Sequence, residues 1–131
     1  MLQKLIDGGA IDPPRQNRRI KQFRIVLIKP SKYDDDGYVI RFWKGVLPSN
    51  TLNVLHGLTE DISERRLFGD LKIKVETFDE TAEKVPIRKI VRWSQRRDTK
   101  LLVCLVGVQT NQFPRALDLA RKFRAVGAKR R

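Results

Sequence analysis

Phe23-Arg24-Ile25-Val26-Leu27-Ile28, closed by Lys29-Pro30, is the stretch on which the fold turns. Apart from Arg24 it is an unbroken apolar run rich in β-branched residues, and Pro30 stops it. Such a run predicts a strand buried on both faces, the kind found in parallel sheets. Downstream, Leu101 to Val108 (Leu-Leu-Val-Cys-Leu-Val-Gly-Val) is more apolar still and predicts the strand at the centre of the sheet. Between them, Leu71-Lys72-Ile73-Lys74-Val75-Glu76 alternates with period two, which predicts a half-exposed or edge strand.

Helical patterns separate these strands. Ser49 or Asn50 is a good N-cap for a helix reaching Gly57 to Asp61, with Leu52, Leu55 and Leu58 as its inner stripe. Pro86 suits the first turn of a second helix, whose apolar face is Ile87, Ile90, Val91 and Trp93. Pro114 opens a third. Ala116, Leu119, Ala120, Phe123 and Val126 line its inner face; Arg115, Asp118, Arg121, Lys122 and Arg124 face solvent, and Gly127 is placed to end it at C′. Strands alternating with amphipathic helices give an α/β domain: a Rossmann-like parallel sheet of about three strands with helices on both faces. Residues 23–127 form it, after a basic lead-in arm (1–22) and before a basic tail (128–131). A doubly wound domain needs four or five strands, so the sheet is expected to be incomplete, a fragment or a half-domain completed by a partner chain.

Charge and composition exclude several classes. The chain has 131 residues, a net charge of +13, one cysteine and one histidine. A lone cysteine leaves no intramolecular disulfide, no cysteine-based zinc site and no iron–sulfur cluster held by this chain alone. No apolar run is long enough to span a bilayer and the start lacks a secretory signal, so a cytoplasmic protein is expected. Residues 1–29 carry seven basic and two acidic groups, residues 115–131 seven and one, and the middle fourteen and twelve. The excess lies at the ends, where Arg15, Arg18, Arg19, Lys21 and Arg24 cluster and Lys129-Arg130-Arg131 follows. They read as solvated ends, and nucleic acid is the weaker expectation. Cys104, inside a strand, reads as an inert apolar residue, and Trp93 as packing.

Ligands of open parallel sheets bind beyond the carboxyl ends of the strands. Here that rim joins Lys29-Pro30-Ser31, the loop from Pro30 to Pro48, and Gly107 to Phe113. No Gly-x-Gly-x-x-Gly or nucleotide-phosphate loop occurs, which argues against dinucleotides and nucleoside triphosphates in their usual modes. Asp34-Asp35-Asp36 before Gly37 reads as a solvated turn. Tyr38, Phe42 and Trp43 offer ring faces, as a ligand platform or as a lid packed on the core. Ser49, Asn50, Thr51, Gln109, Thr110 and Asn111 offer neutral hydrogen bonds. This suits a large, flat, mostly apolar ligand with amide edges.

Arg24-Ile-Val-Leu-Ile-Lys-Pro-Ser-Lys-Tyr-Asp-Asp-Asp-Gly-Tyr-Val-Ile-Arg-Phe-Trp43, then Val46-Leu-Pro-Ser-Asn-Thr-Leu52, resembles the amino-terminal cobalamin-binding domain of cobalamin-dependent radical S-adenosylmethionine enzymes. Val106-Gly-Val-Gln-Thr-Asn-Gln-Phe-Pro-Arg-Ala-Leu-Asp-Leu-Ala120 resembles its next block. The resemblance implies a flavodoxin-like domain that holds the corrin ring at the carboxyl rim, without a catalytic site of its own. It implies corrin contacts near Pro30, Ser31, Tyr38, Ser49, Asn50 and Thr51, and along Gly107, Gln109, Thr110 and Asn111. It also implies a separate barrel that binds the iron–sulfur cluster and S-adenosylmethionine, which this chain does not. Val54-Leu55-His56-Gly57 does not match Asp-x-His-x-x-Gly, so His56 reads as a helix residue and not a cobalt ligand. Two other readings are a small basic protein that binds nucleic acid through its ends, and a half-domain paired with another chain.

Overall fold

The computed structural model describes residues 19–42 and 49–128. The expectations placed on Trp43, on Pro48, on Arg15 and Arg18 and on the final Lys-Arg-Arg lie outside the described residues.

Strand β1 (Gln22–Lys29), helix α1 (Asn50–Glu64), strand β2 (Lys72–Asp79), helix α2 (Ile87–Trp93), strand β3 (Thr99–Leu105), a single 3-10 turn (Thr110–Gln112) and helix α3 (Phe113–Ala128) follow in order. The three strands form one parallel sheet in the order β2-β1-β3. Side chains alternate across a strand. Val26 and Ile28 therefore share one face with Val85, Ile90 of α2 and Leu119 of α3, and these make the core. Leu27 points the other way, to the face taken by α1. Helices thus cover both faces, and the α/β architecture matches the sequence pattern.

β3 is not central. It is an edge strand, and β1 is the strand flanked on both sides. It also ends at Leu105, because Gly107 takes a left-handed conformation (φ 62°) that leaves the sheet. Apolarity could not settle strand order: an apolar strand marks buried faces, or faces and an edge that something else must cover. Leu101, Val103 and Leu105 pack on the core. On the opposite face Leu102 is 44% exposed, since α1 packs on β2 and β1. Among the described residues that edge is unpaired, and beside an open apolar face it invites association. The chain is expected to self-associate in light scattering as added salt screens its positive charge, and Leu102→Lys to remain monodisperse. A wild-type chain that stays monomeric at high salt would contradict this.

Four local expectations change. Leu58 is 57% exposed and does not join the inner stripe with Leu52. Three-residue steps on a 3.6-residue helix drift steadily around the axis, so the third member leaves the face. Gly127 lies within α3, not beyond it. Arg24 is not part of a solvated cluster: it bonds Glu76 and lies 3.8 Å from the Trp93 ring centroid, a cation–π stack that covers the amino-terminal end of the core. Its Nε is the one buried side-chain nitrogen without a hydrogen-bond partner among the described residues. Arg115 is buried too, as follows.

Candidate functional site

The rim is assembled from three exits. β1 leaves the sheet through Pro30 and Ser31, both fully buried. Ser31 Oγ donates to the Ile40 carbonyl at 2.5 Å, and Ser31 N–H to Glu80 Oε1 at 3.2 Å. These two residues form the floor of the rim, with their polar groups already engaged.

The following loop is not irregular throughout. An antiparallel bridge joins Tyr33 and Val39. Asp34 Oδ1 accepts the N–H groups of Asp36 (3.0 Å) and Tyr38 (2.8 Å), and Gly37 supplies the positive φ of the tip. The aspartate run is therefore a turn, as expected of it. Tyr38 is 72% and Phe42 56% exposed, so neither is a lid packed on the core. The Phe42 N–H reaches the Thr81 carbonyl at 2.6 Å, which draws the loop toward the exit of β2.

A buried ion pair anchors that loop. Glu80 is 0% exposed and Arg115 only 7%. Arg115 Nε and Nη2 donate to the two Glu80 oxygens at 2.9 and 2.8 Å, a bidentate pair. Arg115 Nη1 also donates to Tyr33 Oη at 3.2 Å, and that hydroxyl donates to Asp118 at 2.5 Å. The carboxylate holds the Arg115 proton more tightly than in an ordinary arginine, against the desolvation that burial imposes. The sequence pattern puts Arg115 on the solvent face of its helix. It turns inward because Glu80, just past β2, would otherwise be a buried charge without a partner. Glu80, Arg115, Tyr33 and Asp118 carried no sequence signal of their own. Their only hint was four polar residues near predicted strand and helix ends.

The β1→α1→β2 and β2→α2→β3 crossovers lie on opposite faces, so the chain reverses direction between β1 and β3. That is the switch point at which such sheets open a crevice. α1 starts there. Ser49, in extended conformation (φ −73°, ψ 116°), caps it by accepting the Leu52 N–H at 3.4 Å. The N–H groups of Asn50 and Thr51 have no partner within the helix. Gly107 stands beside this first turn: a Cβ built on it would lie in ordinary contact, 3.8 Å from the Thr51 side chain. The 3-10 turn that follows is locked by Gln109 and Gln112, each side chain accepting the other's backbone N–H. Gln112 Nε2 also reaches the Pro30 carbonyl at 3.1 Å and ties the β3 exit to the β1 exit. Thr110 and Asn111 lie exposed on that turn.

The structure thus brings Pro30, Ser31, Ser49, Asn50, Thr51, Gly107, Gln109, Thr110 and Asn111 to one rim. Tyr38 stands apart, on the hairpin tied to Glu80, Thr81 and Asp118. Residues 49–51 and 107–112 contain no charged side chain. Cys104, half-buried on the open face of β3, has its thiol pushed up by burial. His56 Nε2 lies 3.0 Å from Glu60, one turn along α1. No group of three His, Cys, Asp or Glu that could hold a metal occurs among the described residues, and no helix among them is long and apolar enough to cross a membrane. Comparison with protein-family models, with curated proteins and with solved structures finds no match to this chain.

Proposed function

We propose that this chain is a cobalamin-binding module, or an incomplete remnant of one, of the kind that precedes the barrel of radical S-adenosylmethionine enzymes. One observation supports the reading: the first turn of α1 and the exit of β3 meet at the switch point beside Gly107, and neither residues 49–51 nor 107–112 carry a charged side chain. A macrocycle fringed with amides needs close backbone approach and neutral hydrogen-bonding partners. Gly107 supplies the first; Asn50, Thr51, Gln109, Thr110 and Asn111 supply the second. In this reading Pro30 and Ser31 shape the floor, Ser49 fixes the helix start, and Tyr38 adds an exposed ring at the margin. When bound, the corrin supplies cobalt-centred chemistry; this chain's residues bind and orient it. A separate barrel chain would hold the iron–sulfur cluster and S-adenosylmethionine.

Titration with hydroxocobalamin tests the reading. Expected are a shift of the corrin absorption bands, co-elution on gel filtration and a rise in Tm that grows with ligand concentration. Absence of all three at tens of micromolar cobalamin overturns it. The free edge of β3 favours a second reading, a half-sheet completed by another chain, for which the self-association experiment above is the test.

A further inference from the structure

The opposite end of the sheet has a different chemistry. A hollow of about 850 Å³ lies at the amino-terminal ends of the strands, and its cations are Arg19, Lys21, Lys72, Lys74, Arg96 and Lys100. A second hollow, sharing Arg96 and Lys100 with the first, adds Arg97 and Arg124. Two carboxylates, Asp70 and Asp98, face these eight cations. Asp70 is taken up by Arg19 at 3.3 Å, and none of the other seven cations makes an ion pair among the described residues. By contrast, the loops 30–42 and 79–86 at the carboxyl end carry six carboxylates and three cations. The fold sorts charge along the strand axis, although the sequence between its ends is nearly balanced.

Part of this sorting has a structural cause. Helices in a parallel α/β fold point their carboxyl ends at the amino-terminal end of the sheet, and cations there offset the helix dipoles. Arg124 lies ahead of the last turn of α3, and only Arg96 and Arg97, just past the end of α2, fit that role. Lys72, Lys74 and Lys100 do not: they belong to strands, and their charge faces solvent. An aromatic ring stands among them. Phe68, in the turn after α1, is 63% exposed and lines the first hollow. Cations that track phosphates, with a ring on which a base can stack, are the elements of a single-strand binding surface. We infer that the amino-terminal end of the sheet, from Lys72 through Phe68 and Arg96 to Lys100, binds single-stranded nucleic acid. This surface lies at the far end of the sheet from the corrin crevice and does not depend on it.

Fluorescence anisotropy with a labelled oligothymidylate of about fifteen nucleotides, long enough for one such site, tests the inference. Binding is expected to weaken linearly in log–log coordinates as salt rises, with a slope of about −0.7 per phosphate engaged. The triple variant Lys72→Gln, Arg96→Gln, Lys100→Gln removes three contacts and is expected to flatten that slope by about 2. Phe68→Ala is expected to lower affinity about five-fold or more, the effect of losing one stacked base. Circular dichroism checks that each variant folds, and hydroxocobalamin titration of the same variants is expected to be unchanged. Replacement of Lys129, Arg130 and Arg131 by alanine is expected to leave the slope largely intact. Binding that vanishes with that tail replacement and ignores the triple variant overturns the inference. So does a duplex bound as tightly as the single strand with Phe68→Ala silent, which marks unspecific attraction to a polyanion.

Discussion

Replacing Arg115 by alanine is expected to cost about 3–5 kcal/mol of folding stability in urea titration, the penalty of leaving a buried carboxylate without its partner. Glu80 is fully buried, and both its oxygens face the Arg115 guanidinium. Without the guanidinium, the carboxylate has only the Ser31 N–H at 3.2 Å. A single domain has about 5–15 kcal/mol in total, so the loss is a large share of what holds this one. The double variant Glu80→Gln, Arg115→Met is expected to recover much of it. The amide carries no charge to desolvate, still offers an oxygen to Ser31, and the methionine fills the vacated space. The surface pair Arg65–Asp61, at 3.3 Å and open to solvent, sets the scale for an ordinary contact: Arg65→Ala should lose no more than about 1 kcal/mol. If Arg115→Ala loses as little as Arg65→Ala, Glu80 is not a buried charge in the folded protein and the account of the loop anchor fails. The pair also bears on the rim. Glu80 holds the Ser31 backbone, and Arg115 holds Tyr33, so the hairpin of residues 33–39 is expected to become protease-sensitive in the single variant before the rest of the chain does.

The second large effect concerns the crevice. Gly107→Val is expected to abolish hydroxocobalamin retention, a loss of more than about ten-fold, while the domain stays folded. Two contributions separate here. At φ 62° any Cβ is strained by about 1–2 kcal/mol, and a β-branched residue is worse placed than alanine. The new Cβ itself meets Thr51 at 3.8 Å, an ordinary contact, so alanine adds strain with little obstruction. Valine adds methyl groups that project into the space between α1 and the β3 exit. Gly107→Ala should therefore lower stability with a smaller effect on binding, and Gly107→Val should lower binding beyond what its stability loss explains. Equal binding by wild type and Gly107→Val would show that the corrin does not lie over this glycine. Asn111→Ala, which removes one exposed amide and strains nothing, is expected to weaken binding modestly.

The strands and helices were legible because each has a local cause. Val26-Leu27-Ile28 is apolar without alternation and is buried. Ser49 or Asn50 could be read as a cap from its side chain, and Ser49 is the one that caps α1. Gly37 and Asp34 specify their turn within five residues. The neutral composition of residues 107–112 was equally plain, and parallel topology places them at the carboxyl end of the sheet.

What the sequence determined by itself is thus the set of elements and the uncharged character of residues 49–51 and 107–112, since propensity, periodicity and capping act over a few neighbouring residues. Tertiary structure alone decided strand order, partners and the charge map. β3 stands at an edge because hydrogen-bond pairing depends on which strand arrives beside which, not on how apolar it is. Arg115 turned inward because the buried Glu80, thirty-five residues away in the chain, required it. The cations of the amino-terminal hollows come from the lead-in to β1, from β2, from the α2–β3 turn, from β3 and from α3, and only the first of these stood out in sequence. They add up only because parallel strands bring their starts to one end. Coulomb and hydrogen-bond energies follow distance in space, and distance along the chain conceals them.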